Sequence, residues 1–217
     1  EVSTNEPENI NITYDYSSFI ADFIPFDFGY SVVDIEQGPD GLVYLAIDGT
    51  YPVFSNPERR GGGILVIDID NPLNAVSIDT SVLSYYTSSS SNRPYIVVKD
   101  LEFDREGNLW VANAFSTNKN APIHVKSPDG NWKAYGSSET QIKISQSPIS
   151  LSFDSWNRPW FGAFKAEEAN LGTYPDGGIF GLTVEGKPYQ PENFLWESVL
   201  TNTTVWSIAF GKNNRLF

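Results

Sequence analysis

The chain has 217 residues, enough for one good hydrophobic core, and its 40% apolar content with six Trp, eleven Tyr and fourteen Phe is a folding composition. Fourteen basic against 27 acidic side chains give a formal charge of −13, so a nucleic-acid backbone would be met by a repulsive field and is excluded as a natural partner. Cys is absent, which removes disulfides, thiolate nucleophiles and soft metal ligands together, and no apolar run is long enough to cross a bilayer.

Residues 1–28 begin with the polar "EVSTNEPENI" and continue into a mixture of aromatics and acids around Pro25, read as a loose segment able to lend an outer strand. From residue 29 on, strand signals of four to nine residues follow one another: "YSVVDIE", "GLVYLAI", "GGILVIDI", "YIVVKDLEF", "NLWVANAF", "APIHVKS", "NWKAYG", "PISLSF", "RPWFGAF", "GGIFGLTV" and "TTVWSIAF". Polar turns such as "PDG", "DREGN", "SPDG", "DSWN" and "GKNN" separate them. Helix is confined to short possibilities at "KAEEAN" and "PENFLWESVL". Since Met is absent, Glu1 is not a translational start, and the chain is expected to be processed or cut from a longer one.

The turns recur inside a larger unit. With Gly41, Gly107, Asn157 and Asn214 in one column, an aromatic stands three residues later each time: Tyr44, Trp110, Trp160 and Phe217. Gly and Asn suit the column because tight hairpins require positive φ there. The intervals of 66, 50 and 57 residues, by subtraction of those positions, match one four-stranded sheet with its loops. In the strand before each turn, apolar residues alternate strictly with polar or small ones: Val33 and Ile35 against Asp34 and Glu36, Leu101 and Phe103 against Asp100 and Glu102, Ile149, Leu151 and Phe153 against Ser150 and Ser152. Trp206, Ile208 and Phe210 against Ser207 and Ala209 make the fourth copy. The expected fold is all-β, a propeller of four-stranded antiparallel blades at about 29–90, 91–144, 145–202 and a partial 203–217. That is about three and a half blades, below the number that closes a ring, so the propeller is expected to be incomplete in this chain.

"LEFDREGNLWVANAF" followed by "PIHVKSPDGNWKAY" resembles the repeats of bacterial two-component-regulator-type β-propellers, as in propeller domains of surface proteins associated with the type IX secretion system. The resemblance covers about residues 30–217; Tyr44 replaces the usual Trp in the first copy, and Asn157-Arg158-Pro159 alters the turn of the third. It implies an exported bacterial protein, secreted, periplasmic or at the cell surface. Its propeller would bind a protein or glycan, or pack on further blades of the same parent chain, without catalysis by the repeats.

The catalytic inventory is thin. His124, the one histidine, alternates with Ile123 and Val125, which places it on the solvent or inter-blade face as a structural residue. Nucleophile-elbow, phosphate-loop and zinc spacings are missing. Carboxylates remain. Asp68, Asp70 and Asn71 in "IDIDNP" offer hard oxygens of the kind that hold Ca²⁺, and an exposed acidic strand end accounts for the same letters. Asp34, Glu36, Asp100 and Glu102, with Ser150 and Ser207 in the equivalent places, are candidate channel-lining residues if the strand before each turn is the innermost of its blade. Calcium-dependent hydrolases and lyases of lactonase-like type keep their metal in such a channel, so the alternative to a non-catalytic binding or scaffolding domain is an enzyme of that kind; a wet channel lining is the simpler account of the same acids. No cofactor is required on the first reading, and Ca²⁺ on the second.

Overall fold

A computed structural model describes residues 31–49, 61–71, 75–87, 94–116, 118, 120–140, 146–165, 176–182, 196–199 and 203–217. The segment 1–28 and the stretch "AEEAN" lie outside the described residues. The fold is all-β; among the described residues helix is limited to one α-helical turn at Ser137–Thr140 and a 3-10 turn at Lys212–Asn214. Blade one is the meander β1 (Ser31–Gln37), β2 (Val43–Asp48), β3 (Gly63–Ile67) and β4 (Val76–Ile78). A two-stranded ladder, β5 (Tyr86–Thr87) and β6 (Pro94–Tyr95), lies in the crossing to blade two. Blade two is β7 (Val97–Phe103), β8 (Leu109–Ala114), β9 (Ile123–Lys126) and β10 (Trp132–Tyr135). Blade three is β11 (Pro148–Phe153), β12 (Pro159–Lys165), β13 (Asp176–Leu182) and β14 (Trp196–Val199). The last strand falls inside "PENFLWESVL" and replaces the helix expected there. A fourth unit begins at Thr203 and closes a short hairpin in which Ala209 and Phe217 exchange backbone bonds of 3.0 and 2.9 Å.

One turn is written five times. Gly38 N–H bonds Leu42 C=O, and the same closure joins Asp104 to Asn108, Ser127 to Asn131, Asp154 to Arg158 and Gly211 to Arg215. The fourth residue of each takes positive φ: Gly41 at 83°, Gly107 at 81°, Gly130 at 88°, Asn157 at 62° and Asn214 at 59°. This is a turn ending in a left-handed residue, the geometry that favours Gly and Asn in that column.

The core is laid in the seams between blades. Tyr44, Ala46, Ile64 and Leu83 pack against Ile96, Val98, Leu101, Leu109 and Val111 of blade two. Trp110, Ile123, Val125 and Tyr135 in turn meet Leu151, Phe161, Ala163 and Phe180 of blade three. At every seam the aromatic after the turn meets a Phe from the next inner strand: Tyr44 with Phe103 at 5.1 Å, Trp110 with Phe153 at 6.1 Å, Trp160 with Phe210 at 6.1 Å. A twisted sheet cannot bury such rings alone; a stack of sheets covers them.

The blades are also sewn through the backbone. Ile96, entering blade two, accepts from Gly49 N–H and donates to Gly61 C=O, and Thr203, entering the fourth unit, accepts from Gly178 N–H. A Cβ at Gly62 would stand 1.9 Å from Ile96 O, and one at Gly177 2.2 Å from Thr203 O. The glycines of "RRGGGILV" and "PDGGIFGL" therefore admit the next blade's chain at van der Waals range.

The strict alternation expected for the inner strands is broken at one place in each. The pairing register slips between Val32 and Asp34, between Val98 and Asp100, and between Pro148 and Ser150. A β-bulge thus precedes Asp34, Asp100 and Ser150 and re-aims their side chains.

Candidate functional site

Asp34 and Asp100 occupy the same place in successive inner strands, and each reaches across a seam. Asp34 Oδ2 accepts from Leu101 N–H at 2.8 Å, and Asp100 Oδ2 accepts from Leu151 N–H at 2.6 Å. Glu102 likewise accepts from Phe153 N–H. An inner strand has one edge paired in its own blade, while its other edge is left largely without ladder partners, the bridge of Val97 to Asp48 apart, and its free N–H groups need acceptors. The carboxylates of the preceding blade supply them. They therefore sit against the neighbouring strand, half-buried.

This burial brings like charges together. Asp100 is pushed up to about 8, first by burial and then by the charge of Asp34, to which it is also hydrogen-bonded; the Leu151 N–H acts the other way. Glu102 is pushed up to about 7 by burial and by Glu36, and Glu36 is raised by burial and by Asp34. Burial and the neighbouring carboxylates therefore favour the protonated form of Asp100 in the folded chain. Such a cluster binds protons in its own right. Asp34 and Asp100 each commit one carboxylate oxygen to a backbone N–H, and among the described residues no three ligating side chains are grouped as a metal site.

Ser150 stands where the third acid would be, buried against Gly162, whose absent Cβ would meet Ser150 Oγ at 2.4 Å. Ser207, in the fourth unit, is exposed. The structure thus brings Asp34, Glu36, Asp100 and Glu102 together and leaves the serines outside the charged cluster.

The other candidates fall elsewhere. β3 ends at Ile67, so Asp68 and Asp70 lie past the strand and not on one of its faces. Asp68 Oδ1 accepts from Asp70 N–H at 3.0 Å and its carbonyl from Asn71 N–H at 3.1 Å, the bonds of an exposed turn. His124 is buried at an inter-blade position, where its Nε2 accepts from Ser84 N–H at 3.0 Å. Asn113 Nδ2 donates to Ser84 C=O at 2.7 Å, so both residues hold the crossing segment that links the first two blades.

Two residues escaped the sequence reading. Asp104 accepts from Glu106 N–H, Asn108 N–H, Asn108 Nδ2 and Trp110 Nε1, all within 3.0 Å. Asp154 repeats the pattern with Trp156 N–H, Arg158 N–H, Arg158 Nε and Trp160 Nε1, and these bonds hold its carboxyl below the usual range against the opposing effect of burial. The signal was present: an Asp six residues before each Trp. In blade one Gly38 takes that Asp's place, and Asp40 bonds the Tyr44 hydroxyl at 2.8 Å instead.

No protein-family model matches the chain, and no curated protein is similar to it. Solved structures are. The extracellular domain of a protein assigned to the hybrid two-component systems, BT3049 of B. thetaiotaomicron, superposes on 86% of this chain at 15% identity with a TM-score of 0.51. That of BT4673 from the same organism does so over 86% at 14% identity and 0.51. PorZ, a surface component of the type IX secretion system of Porphyromonas gingivalis, overlaps 94% of the chain at 12% identity with a TM-score of 0.40, too low to carry weight. This chain spans 20% of the length of each two-component domain. With the repeated blades, the likeness at 0.51 makes the fold that of consecutive blades of a β-propeller.

Proposed function

We propose that the chain is part of a non-catalytic propeller domain that binds a partner or scaffolds a larger exported bacterial protein, at the cell surface or in the periplasm. The observation that carries this reading is the use made of the carboxylates: Asp34, Asp100 and Glu102 join one blade to the next, and Asp104 and Asp154 pin turns and indoles. The reactive groups are committed to holding the blades in register. The extracellular setting of the two two-component domains supports the location. Partners are a protein, a glycan or further blades of the same parent chain. The test is turnover. Purified protein incubated with lactones and bacterial polysaccharides should release no product, and turnover abolished by Asp100→Asn would overturn the reading.

A second reading, a calcium-dependent hydrolase or lyase, draws on the grouping of Asp34, Glu36, Asp100 and Glu102. Calorimetry of the metal-stripped protein separates the two. Heat of binding lost on substituting Asp34 and Asp100 together favours the second reading, and no heat at millimolar calcium removes it.

A further inference from the structure

The three seams are built from the same parts, and one departs from the others at several positions at once. In the seam between blades two and three, Asn157 Oδ1 accepts from Arg105 N–H of the preceding turn at 3.1 Å; in the next, Asn214 Oδ1 accepts from Ser155 N–H at 2.6 Å. Between blades one and two the column residue is Gly107, which has no amide, and the preceding turn offers Pro39, which has no N–H. Tyr44 stands where Trp110 and Trp160 fill the other seams, and Gly38 stands where they have Asp104 and Asp154. Every one of these departures removes side-chain volume or a clasp from the same place.

A cavity of about 280 Å³ lies there, lined by Tyr44, Phe103, Leu109, Lys126, Pro39 and Pro128 among others, and an open cleft of about 510 Å³ adjoins it past Gly107. Most polar groups at its wall are spent. Asp40 accepts from Leu42 N–H and from Tyr44 Oη–H, and Ser127 Oγ is bonded to Asp129. The Tyr44 phenol is kept protonated by burial and by Asp40. Lys126 is different. Its ammonium lies 5.6 Å from the Tyr44 ring centroid and 3.4 Å from the hydroxyl, and among the described residues it has no carboxylate partner. A half-buried ammonium that reaches Asp40 only through the Tyr44 hydroxyl, set over aromatic and proline walls, suits a flat apolar group carrying a single carboxylate.

We infer that the cleft between blades one and two is a binding site for an aromatic or similarly flat monocarboxylate, held by Lys126 at its charged end and by Phe103 and the two prolines along its body. Departures from a repeat's own rules are expected where a site is kept open at some cost in packing. The site adds a ligand class to the binding role proposed above.

Phenylacetate is the probe and phenylacetamide its neutral counterpart, titrated into the full chain by calorimetry. Phenylacetate should bind at least about tenfold more tightly than the amide. Lys126→Gln should remove that preference and leave the unfolding temperature unchanged, while Lys126→Arg should keep it. Gly107→Asn, an amide that the φ of 81° tolerates as Asn157 does at 62°, should close the cleft and weaken both probes. A peptide ending in a free Phe carboxylate separates a protein C terminus from a free acid as the source, and tighter binding of either supports the site. Equal binding of acid and amide, indifference to Gly107→Asn, or no heat up to about 10 mM would overturn it. That failure leaves the scaffolding reading standing, and turnover would defeat that reading without touching this cleft.

Discussion

At the scale of single residues, the aspartates divide into two kinds with opposite electrostatics. Asp154 is held below the usual carboxylate range and works as an anion at the centre of a turn, and Asp104 makes the same set of bonds. Asp104→Ala should cost about 3 kcal/mol in urea unfolding, since it strips a buried indole N–H and a buried amide of their acceptor. Asp40→Ala, on an exposed turn, should cost about 1 kcal/mol. Asp100 behaves the other way. Its folded value near 8 lies well above the ordinary value of about 4, so the folded state holds a proton that the unfolded chain has lost. Stability contributed at this position is therefore greatest below about pH 4 and falls as pH rises towards about 8. Glu102, pushed up to about 7, acts in the same sense. Asp100→Asn, which keeps an acceptor for Leu151 N–H and a donor for Asp34, should flatten this dependence and raise the unfolding midpoint at pH 7.5. Thermal unfolding between pH 5 and 8 measures both; a variant that is less stable at pH 7.5 would contradict the raised value of Asp100.

At the scale of the element, the turn and its clasp form the unit that decides how blades adjoin. Asn157→Gly should cost about 1 kcal/mol by removing an inter-blade bond, a loss that the ease of Gly at a left-handed position only partly offsets. Gly107→Asn alone gains no such bond while Pro39 precedes it. Gly107→Asn with Pro39→Ala should restore the clasp, so a double-mutant cycle should give a favourable coupling of about 0.5–1 kcal/mol. Additivity would show that the Asn amide only fills space. The turns were legible in the sequence because their chemistry is local: positive φ at Gly107 or Asn157, and a Trp three residues on. The seams were not. Asp34 meets Leu101 across 67 positions and Ser84 meets His124 across 40, distances at which one sequence carries no pairing signal. The bulges were hidden for another reason. A one-residue slip leaves the letters of "VVDIE" and "VVKDLE" alternating on paper while it turns Asp34 and Asp100 towards the next blade.

At the scale of the molecule, the same register predicts what covers blade one. Leu101 and Leu151 are 1% and 5% exposed because a preceding blade lies over them, whereas Ile35, their equivalent, is 62% exposed. Val33 beside it is exposed as well. The surface that covers Leu101 carries Asp34, which caps the Leu101 N–H, so a surface fitted to Ile35 should bring apolar side chains and an acceptor for the Ile35 N–H. Another blade, from the parent chain or from a second copy, has both. The prediction is that the protein, when that surface is not supplied from elsewhere in the preparation, associates as its concentration rises, and that Ile35→Lys suppresses the association while leaving the unfolding midpoint within about 0.5 kcal/mol, as expected for an exposed position. Light scattering over a concentration series reads the first effect and urea unfolding the second. A concentration-independent monomer with the native Ile35 would mean that this face is stable in water, and the repeat rule would then stop at blade one.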